Sequence, residues 1–533
     1  MKRSSEDMLK KQSKQNKVRS FNKDNIICFL TSFVFIFVGY SLFLNDTANY
    51  DHMDMYDNIS SYPFVDFTRA MSYGRVILFF FNKIYKLFAL VGVTKLHNEW
   101  VIQLLFMFVL AYAVTVLYRC FEGHFVLKHK HVILPLVISF GFVNPFFVDN
   151  LVYVALEYGF AMLLIAWAVE ACDKNKWWLA GILTFLSISI YQSYYILLFI
   201  WGSMLIFLKY RGVFQVKAAE KGAKTALRDY IYLALSGLIP AILNVLSVKV
   251  FLHFVDAEDM KSVSMFGSEG QSFIVYIFSA LYHSFDTMFS LAPKFYLGIV
   301  LVVLCAIIGL YMIANRQNIG RIIYVIVFCV AQVMFTFTIF ATGYTDIVPR
   351  VLFTVFAGVS MIALVGLYLM SEDGKTKAEE RVWSGWLKAT ILILAVVGLS
   401  DIVITQTCCT DYYIAIQHDA QMVGTIQDYI RDYEEQSGNS VTTIATSQFK
   451  YLERQNKHQI MDGEFPNYIQ KSAHAHWCRA DMINFFCGTS YVDEFISDEQ
   501  YNEFFADKEA TWTEFNPDEQ LVFEGNTVYW AVY

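Results

Sequence analysis

A chain of 533 residues that is 56% hydrophobic and 17% aromatic, with only 17% charged residues, is far more apolar than the near-even balance of a soluble protein. That composition excludes an ordinary soluble enzyme and identifies a polytopic membrane protein. The formal net charge of -7 is less informative, because acids and bases are segregated along the chain.

The N-terminus carries Lys2, Arg3, Lys10, Lys11, Lys14, Lys17, Arg19 and Lys23 against few acids, and the positive-inside rule places residues 1–25 in the cytoplasm. Ile26 to Leu44 is the first span, about the length needed to cross a hydrocarbon core of roughly 30 Å. The loop that follows, Asn45 to Arg75, is then external. It gathers Asp46, Asp51, Asp54, Asp57 and Asp66 beside Tyr50, Tyr56 and Arg75. Val76 to Val93 is apolar but holds Asn82, Lys83 and Lys86, and reads as an interfacial helix. Spans are expected at Trp100 to Tyr118, Val132 to Val148 and Leu151 to Ala171. Residues 177–208 have basic flanks on both sides, so they form a tight hairpin or re-entrant pair with Tyr191-Gln192-Ser193-Tyr194-Tyr195 at its tip. Tyr230 to Leu252 crosses next. Gln271 to Leu291, with His283 and Asp286, reads as a second interfacial element. Tyr296 to Ala314, Ile322 to Ala341, Val351 to Met370 and Leu387 to Ile404 complete about eleven crossings by the length and charge rules. The expected fold is therefore an all-α polytopic membrane domain over residues 26–404, with interfacial helices.

An odd number of crossings puts residues 405–533 outside the cell. In this tail acids outnumber bases about three to one. A helix is expected over Asp411 to Glu435, and strands over Val441 to Ala445 and within Asn526 to Tyr533, which makes a small extracytoplasmic α/β domain. Of the nine cysteines, Cys28, Cys120, Cys172, Cys305 and Cys329 read as small apolar residues of the spans. Cys408, Cys409, Cys478 and Cys487 lie in the tail, where a disulfide is compatible with the outer location but no pairing is readable. The chain has no Gly-rich phosphate loop, Walker motif, Cys-pair zinc pattern or Gly-x-Ser-x-Gly elbow. Nothing in the pattern points to nucleic acid. Without a nucleotide-binding domain, a sugar handled on the outer face arrives on a lipid.

The layout resembles the Gtr-type O-antigen glucosyltransferases of the GT-C superfamily. The matching pieces are the first span, the Asp loop from Asp46 to Asp57, Gly74-Arg75 before an interfacial helix, Tyr191-Gln192 in an apolar hairpin, Pro349-Arg350 at the outer end of a late span, and a small C-terminal outer domain. The acids of the first loop are spaced as Asp51-His52-Met53-Asp54, where members of the family tend to have adjacent acids. The resemblance implies an inverting transfer of a sugar, usually glucose, from a polyprenyl-phosphate donor to a hydroxyl of a surface polysaccharide of the cell envelope.

Such a reaction needs a general base for the acceptor hydroxyl and cations for the departing phosphate. Asp51 or Asp54 is the expected base. Spaced by three, they share a face if the loop is helical, so the second can orient the first or help bind a divalent cation. Arg75 and Arg350, with their bidentate forks, are expected to hold phosphate, with Arg69 and Lys294 as alternatives. Asp46, Asp57, Glu157, Tyr191 and Gln192 are expected substrate contacts. An acid such as Glu157 inside a span is functional by default. Each feature also has a plainer reading: a solvated linker for the Asp loop, snorkelling for Arg350, an aromatic belt for Tyr191 to Tyr195, and topology and lipid contact for the basic residues at 209–228. Competing functional classes are a polysaccharide polymerase, a lipid-linked sugar flippase or transporter, and a tail that binds wall polymer without chemistry.

Overall fold

The computed structural model describes residues 23–44, 67–90, 99–153, 155–210, 219–255, 278, 281–282, 285, 289, 295–342, 349–372, 385–447, 479–509, 512 and 515–532. The long apolar runs form helices. In chain order these are α1 (Lys23–Tyr40), α2 (Phe67–Ser72), α3 (Val76–Leu90), α4 (Glu99–Phe121), α5 (Lys130–Ser139), α6 (Val148–Tyr153), α7 (Ala155–Asp173), α8 (Trp177–Ile188), α9 (Tyr195–Lys209), α10 (Ala219–Phe254), α11 (Tyr296–Ala314), α12 (Ile319–Met334), α13 (Pro349–Leu352), α14 (Thr354–Glu372) and α15 (Gly385–Ser437). Among the described residues, eight helices are long and apolar enough to cross a membrane: α1, α4, α9, α10, α11, α12, α14 and α15, some counted with an adjoining turn.

The other three expected spans fall on helices that are shorter or richer in acids. Helix α5 has 10 residues and α8 has 12, while α7 carries Glu157, Glu170 and Asp173. The helix expected over Val132 to Val148 stops at Ser139, and a local turn at Asn144 keeps the rest of the stretch from joining it. The residue before a proline is pushed toward extended backbone; Asn144 before Pro145 sits at φ -159°, ψ 159°, and its side chain accepts from the Phe147 amide at 3.0 Å to start a new turn.

Helices α9 and α14 are the centre of the bundle. Every residue from Tyr195 to Leu208 is buried, as is every residue from Val351 to Ser371. Lipid offers no hydrophobic drive for helices to associate, so close backbone approach and buried hydrogen bonds must hold them. Gly358 on α14 shows the first: a Cβ there would lie 2.5 Å from the Gln332 carbonyl of α12. The second is provided by Gln332 donating to Ser203 Oγ at 2.8 Å, Thr354 to Thr336 Oγ1 at 2.9 Å, and Ser360 to the Val137 carbonyl at 2.8 Å. The outward faces stay apolar, as on α10, where Ile231, Leu235, Ile239, Ile242, Leu246 and Val250 are exposed.

Charged pairs gather at one end of these helices. Arg119 and Lys174 both meet Glu170, Lys130 meets Glu122, and Lys209 meets Asp173. Helix α7 has 19 residues, so its other end lies about 28 Å away, close to the thickness of a hydrocarbon core.

The last expected span and the expected tail helix are a single helix. The 53 residues of α15 reach about 80 Å, far longer than a bilayer crossing, and run without a break through residue 405, where the tail was expected to begin. Its far end packs on a four-stranded sheet, β1 (Thr443–Thr446), β2 (Val492–Phe495), β3 (Leu521–Glu524) and β4 (Thr527–Trp530), in the order β2-β1-β4-β3. Strand β1 is parallel to both neighbours and β3 pairs antiparallel with β4. One face buries Ile444, Val528 and Trp530 against Val423, Ile426 and Ile430 of α15 and Met482 and Ile483 of α16 (Arg479–Cys487). The other covers Ala445 and Ala531 with Tyr501 of α17 (Asp498–Phe504), Phe505 and Trp512. Among the described residues Cys408, Cys409 and Cys487 form no disulfide, and Cys478 lies outside those residues.

Candidate functional site

At the end of α7 and α8 opposite the ion pairs, five distant pieces of chain converge. The first is the turn between α2 and α3. The Gly74 amide donates to Met71 O and the Arg75 amide to Ala70 O, closing α2 with Gly74 at φ +67°. Only glycine fits there. A side chain would be strained at that φ, and its Cβ would lie 2.6 Å from Asn244 Oδ1. The loop is then tied down from three sides: Asn244 Nδ2 donates to Gly74 O at 2.8 Å, Gln192 Nε2 donates to Tyr73 O, and the Ile77 amide donates to Ser189 O at 3.0 Å.

This fixed loop presents Arg75. Its guanidinium lies 4.9 Å from the centroid of Tyr191 and 5.8 Å from that of Tyr73, both within cation–π range. Tyr191 is buried at the hairpin tip, on extended backbone after α8. Its hydroxyl accepts from Arg350 Nε at 3.1 Å. Arg350 sits in α13 directly after Pro349, which opens that helix. Its carbonyl accepts from Asn150 Nδ2 at 3.3 Å, and Asn150 Oδ1 accepts from the Tyr194 hydroxyl at 2.8 Å. The rings of Tyr158, Tyr191 and Tyr194 pack together, with centroids 4.9 to 5.6 Å apart.

Arg75, Tyr191, Gln192 and Arg350, all expected from sequence, therefore come together. Glu157 is buried in the first turn of α7, beside Tyr158 of the tyrosine cluster. Asp46, Asp51, Asp54 and Asp57 lie outside the described residues, as do His283, Asp286 and Lys294. The possible cation site on the Asp loop lies there too; among the described residues no three His, Cys, Asp or Glu side chains form a metal-binding group. The Asp loop nonetheless joins Leu44 to Phe67, the residue that opens α2 ahead of Arg75. Sequence reasoning missed Tyr73, Asn150, Tyr158 and Asn244. Asn244 had a usable signal, being a lone amide within an apolar helix. The hairpin is as expected, two short helices with Tyr191 to Tyr195 at the tip.

Two guanidiniums held on one tyrosine concentrate positive charge where planar forks can grip a phosphate or carboxylate. The glycine requirement yields a direct expectation. Gly74→Ala should destabilise the protein by about 1–2 kcal/mol from backbone strain alone, and by more from the Asn244 overlap. Thermal unfolding in detergent should show a lowered midpoint; an unchanged midpoint would contradict the assigned turn geometry.

The fold and the site together define a helical integral membrane protein with a cationic, tyrosine-lined site at one end of its bundle. The chain belongs to the glucosyl transferase GtrII family, whose model matches residues 40–370. No curated protein and no solved structure matches the chain. The matched region contains all five converging pieces and ends within the last turn of α14, so the long helix α15 and the sheet lie beyond it.

Proposed function

We propose that the protein transfers glucose from a polyprenyl-phosphate donor to a hydroxyl of a surface polysaccharide, on the outer face of the membrane and with inversion at the anomeric carbon. The observation that carries this reading is the meeting of Arg75 and Arg350 on Tyr191, within the part of the chain matched by a glucosyltransferase family. The separation of this site from the ion-paired ends of α4 and α7 supports an outer location, since basic loops favour the cytoplasmic side.

In the proposed reaction Asp51 or Asp54 takes the proton of the acceptor hydroxyl. The acceptor oxygen then attacks the anomeric carbon as the bond from that carbon to the phosphate oxygen breaks. The phosphate leaves with the electron pair on its lipid, and Arg75 and Arg350 stabilise its charge with charge-assisted hydrogen bonds. Gln192 and Glu157 contact sugar hydroxyls. A divalent cation on the Asp loop is compatible with this scheme but no step depends on it.

The test uses membranes carrying the full chain, supplied with labelled glucose on synthetic polyprenyl phosphate or as a nucleotide sugar. Label should pass to surface polysaccharide from the lipid donor and not directly from the nucleotide sugar. Direct use of the nucleotide sugar, or transfer from neither donor, would overturn the reading.

A further inference from the structure

An open apolar groove of about 710 Å³ runs between α8 and α10. Its floor and walls are Trp177, Trp178, Ile182 and Phe185 from α8, facing Tyr232 and Leu243 of α10. The concavity is built in. Gly181 contributes no side chain, and a Cβ placed there meets no atom within 4 Å. Pro240 lies inside α10, where its ring cannot donate to the preceding turn. The serine of the lining, Ser236, donates to the Trp177 carbonyl and presents no unsatisfied donor to an apolar occupant.

The groove has a direction. Trp177 follows Lys176 at the ion-paired end of the bundle, whereas Phe185 and Leu243 lie toward the site end. Leu243 is followed by Asn244, which holds the carbonyl of Gly74 next to Arg75. Phe185 accepts from the amide of Ser189, whose own carbonyl holds Ile77. From Tyr232 to Leu243 the helix rises about 16 Å, so a chain lying along it would end beside the loop that carries Arg75. Its volume falls within the usual range of ligand sites, about 300–1,000 Å³.

We propose that this groove holds the hydrocarbon tail of the lipid-linked donor, with the phosphate emerging at Arg75 and Arg350. The assignment rests on the donor reading given above. The step from Leu243 at the groove's end to Asn244, which holds the Gly74 loop, distinguishes the groove from the apolar bundle surface that ordinary phospholipids cover: a lipid seated here would direct an anionic head group toward Arg75. The aromatic walls offer large contact area for dispersion along an unsaturated chain.

The test uses the purified full chain in phosphatidylglycerol-containing nanodiscs with a polyprenyl phosphate bearing a diazirine in its tail. Crosslinks should map to residues 177–185 and 232–243 and be competed by unlabelled polyprenyl phosphate. Crosslinks elsewhere, or equal competition by added phosphatidylglycerol, would overturn the proposal, the latter marking the groove as a site of ordinary membrane lipid. A second measurement uses Gly181→Trp, which fills open space and so spares the fold. It should raise the KM for a long-chain donor at least tenfold relative to that for a short-chain donor; an unchanged ratio would overturn the proposal. Normal transfer with crosslinks elsewhere removes the groove alone. Groove crosslinks in a protein that transfers from no lipid donor remove the donor reading, and the tail assignment with it.

Discussion

Asp51→Asn or Asp54→Asn should lower glucose transfer on the order of a hundred- to ten-thousand-fold, the contribution typical of a positioned general base. The loss should fall on kcat and leave the donor KM little changed, because a base acts on the acceptor proton in the transition state and not on the bound donor. Rates measured in membranes with equal amounts of protein would identify which carboxylate is the base. The pH profile of the wild type should show an acidic limb that is lost with the base. Full activity in both variants would reduce the Asp-rich loop to a linker and move the base elsewhere, with Glu157 the first acid to examine.

Arg75→Gln and Arg350→Gln should each cost transfer roughly ten- to a hundredfold in kcat/KM. A hydrogen bond to a charged group contributes about 1.5–3 kcal/mol, and each 1.36 kcal/mol is tenfold in rate. Lysine at either position keeps the charge but loses the planar fork, so recovery should be partial. Tyr191→Phe provides the control that separates the two arginines. It removes the hydroxyl that accepts from Arg350 and keeps the ring beneath Arg75, so its effect should be smaller than loss of either guanidinium. Steady-state kinetics with the lipid donor would check the order. Near-normal rates for both Gln variants would exclude the arginines from the site.

Much of this organisation was legible in the sequence because it follows from lipid as solvent. Uncharged runs of about 20 residues must be helices, and every expected span falls wholly or partly on one. The hairpin at 177–208 was readable from its basic flanks. Helix ends were less readable: α5 ends at Ser139 and the Asn144-Pro145 turn interrupts the expected span, and the break expected between Ile404 and Asp411 rests on polarity alone, although α15 passes through it. Strand β2, with Asp493 and Glu494 among its four residues, lacks the alternation that marks a strand; it forms because β1 offers it a parallel edge.

For the site, the types of residue were readable and their partners were not. Arg75 and Arg350 were singled out as charges at span ends, yet nothing in a linear chain places both on Tyr191, more than a hundred residues from either. Asn150 and Tyr73 act through a side-chain amide and a carbonyl that only tertiary contact brings into use. Gly74 is only half of a dipeptide in the linear chain, and the need for glycine there shows once its positive φ and the approach of Asn244 are seen.

The most direct measurement is the affinity of polyprenyl phosphate for the purified full chain in nanodiscs, compared among wild type, Arg75→Gln and Arg350→Gln at two salt concentrations. If the arginines hold the donor phosphate, the wild type binds and each variant binds at least tenfold more weakly, with unfolding midpoints unchanged and a smaller salt dependence. Equal affinity in all three proteins would contradict the claim that Arg75 and Arg350 form the phosphate site of a lipid-dependent glucosyltransferase.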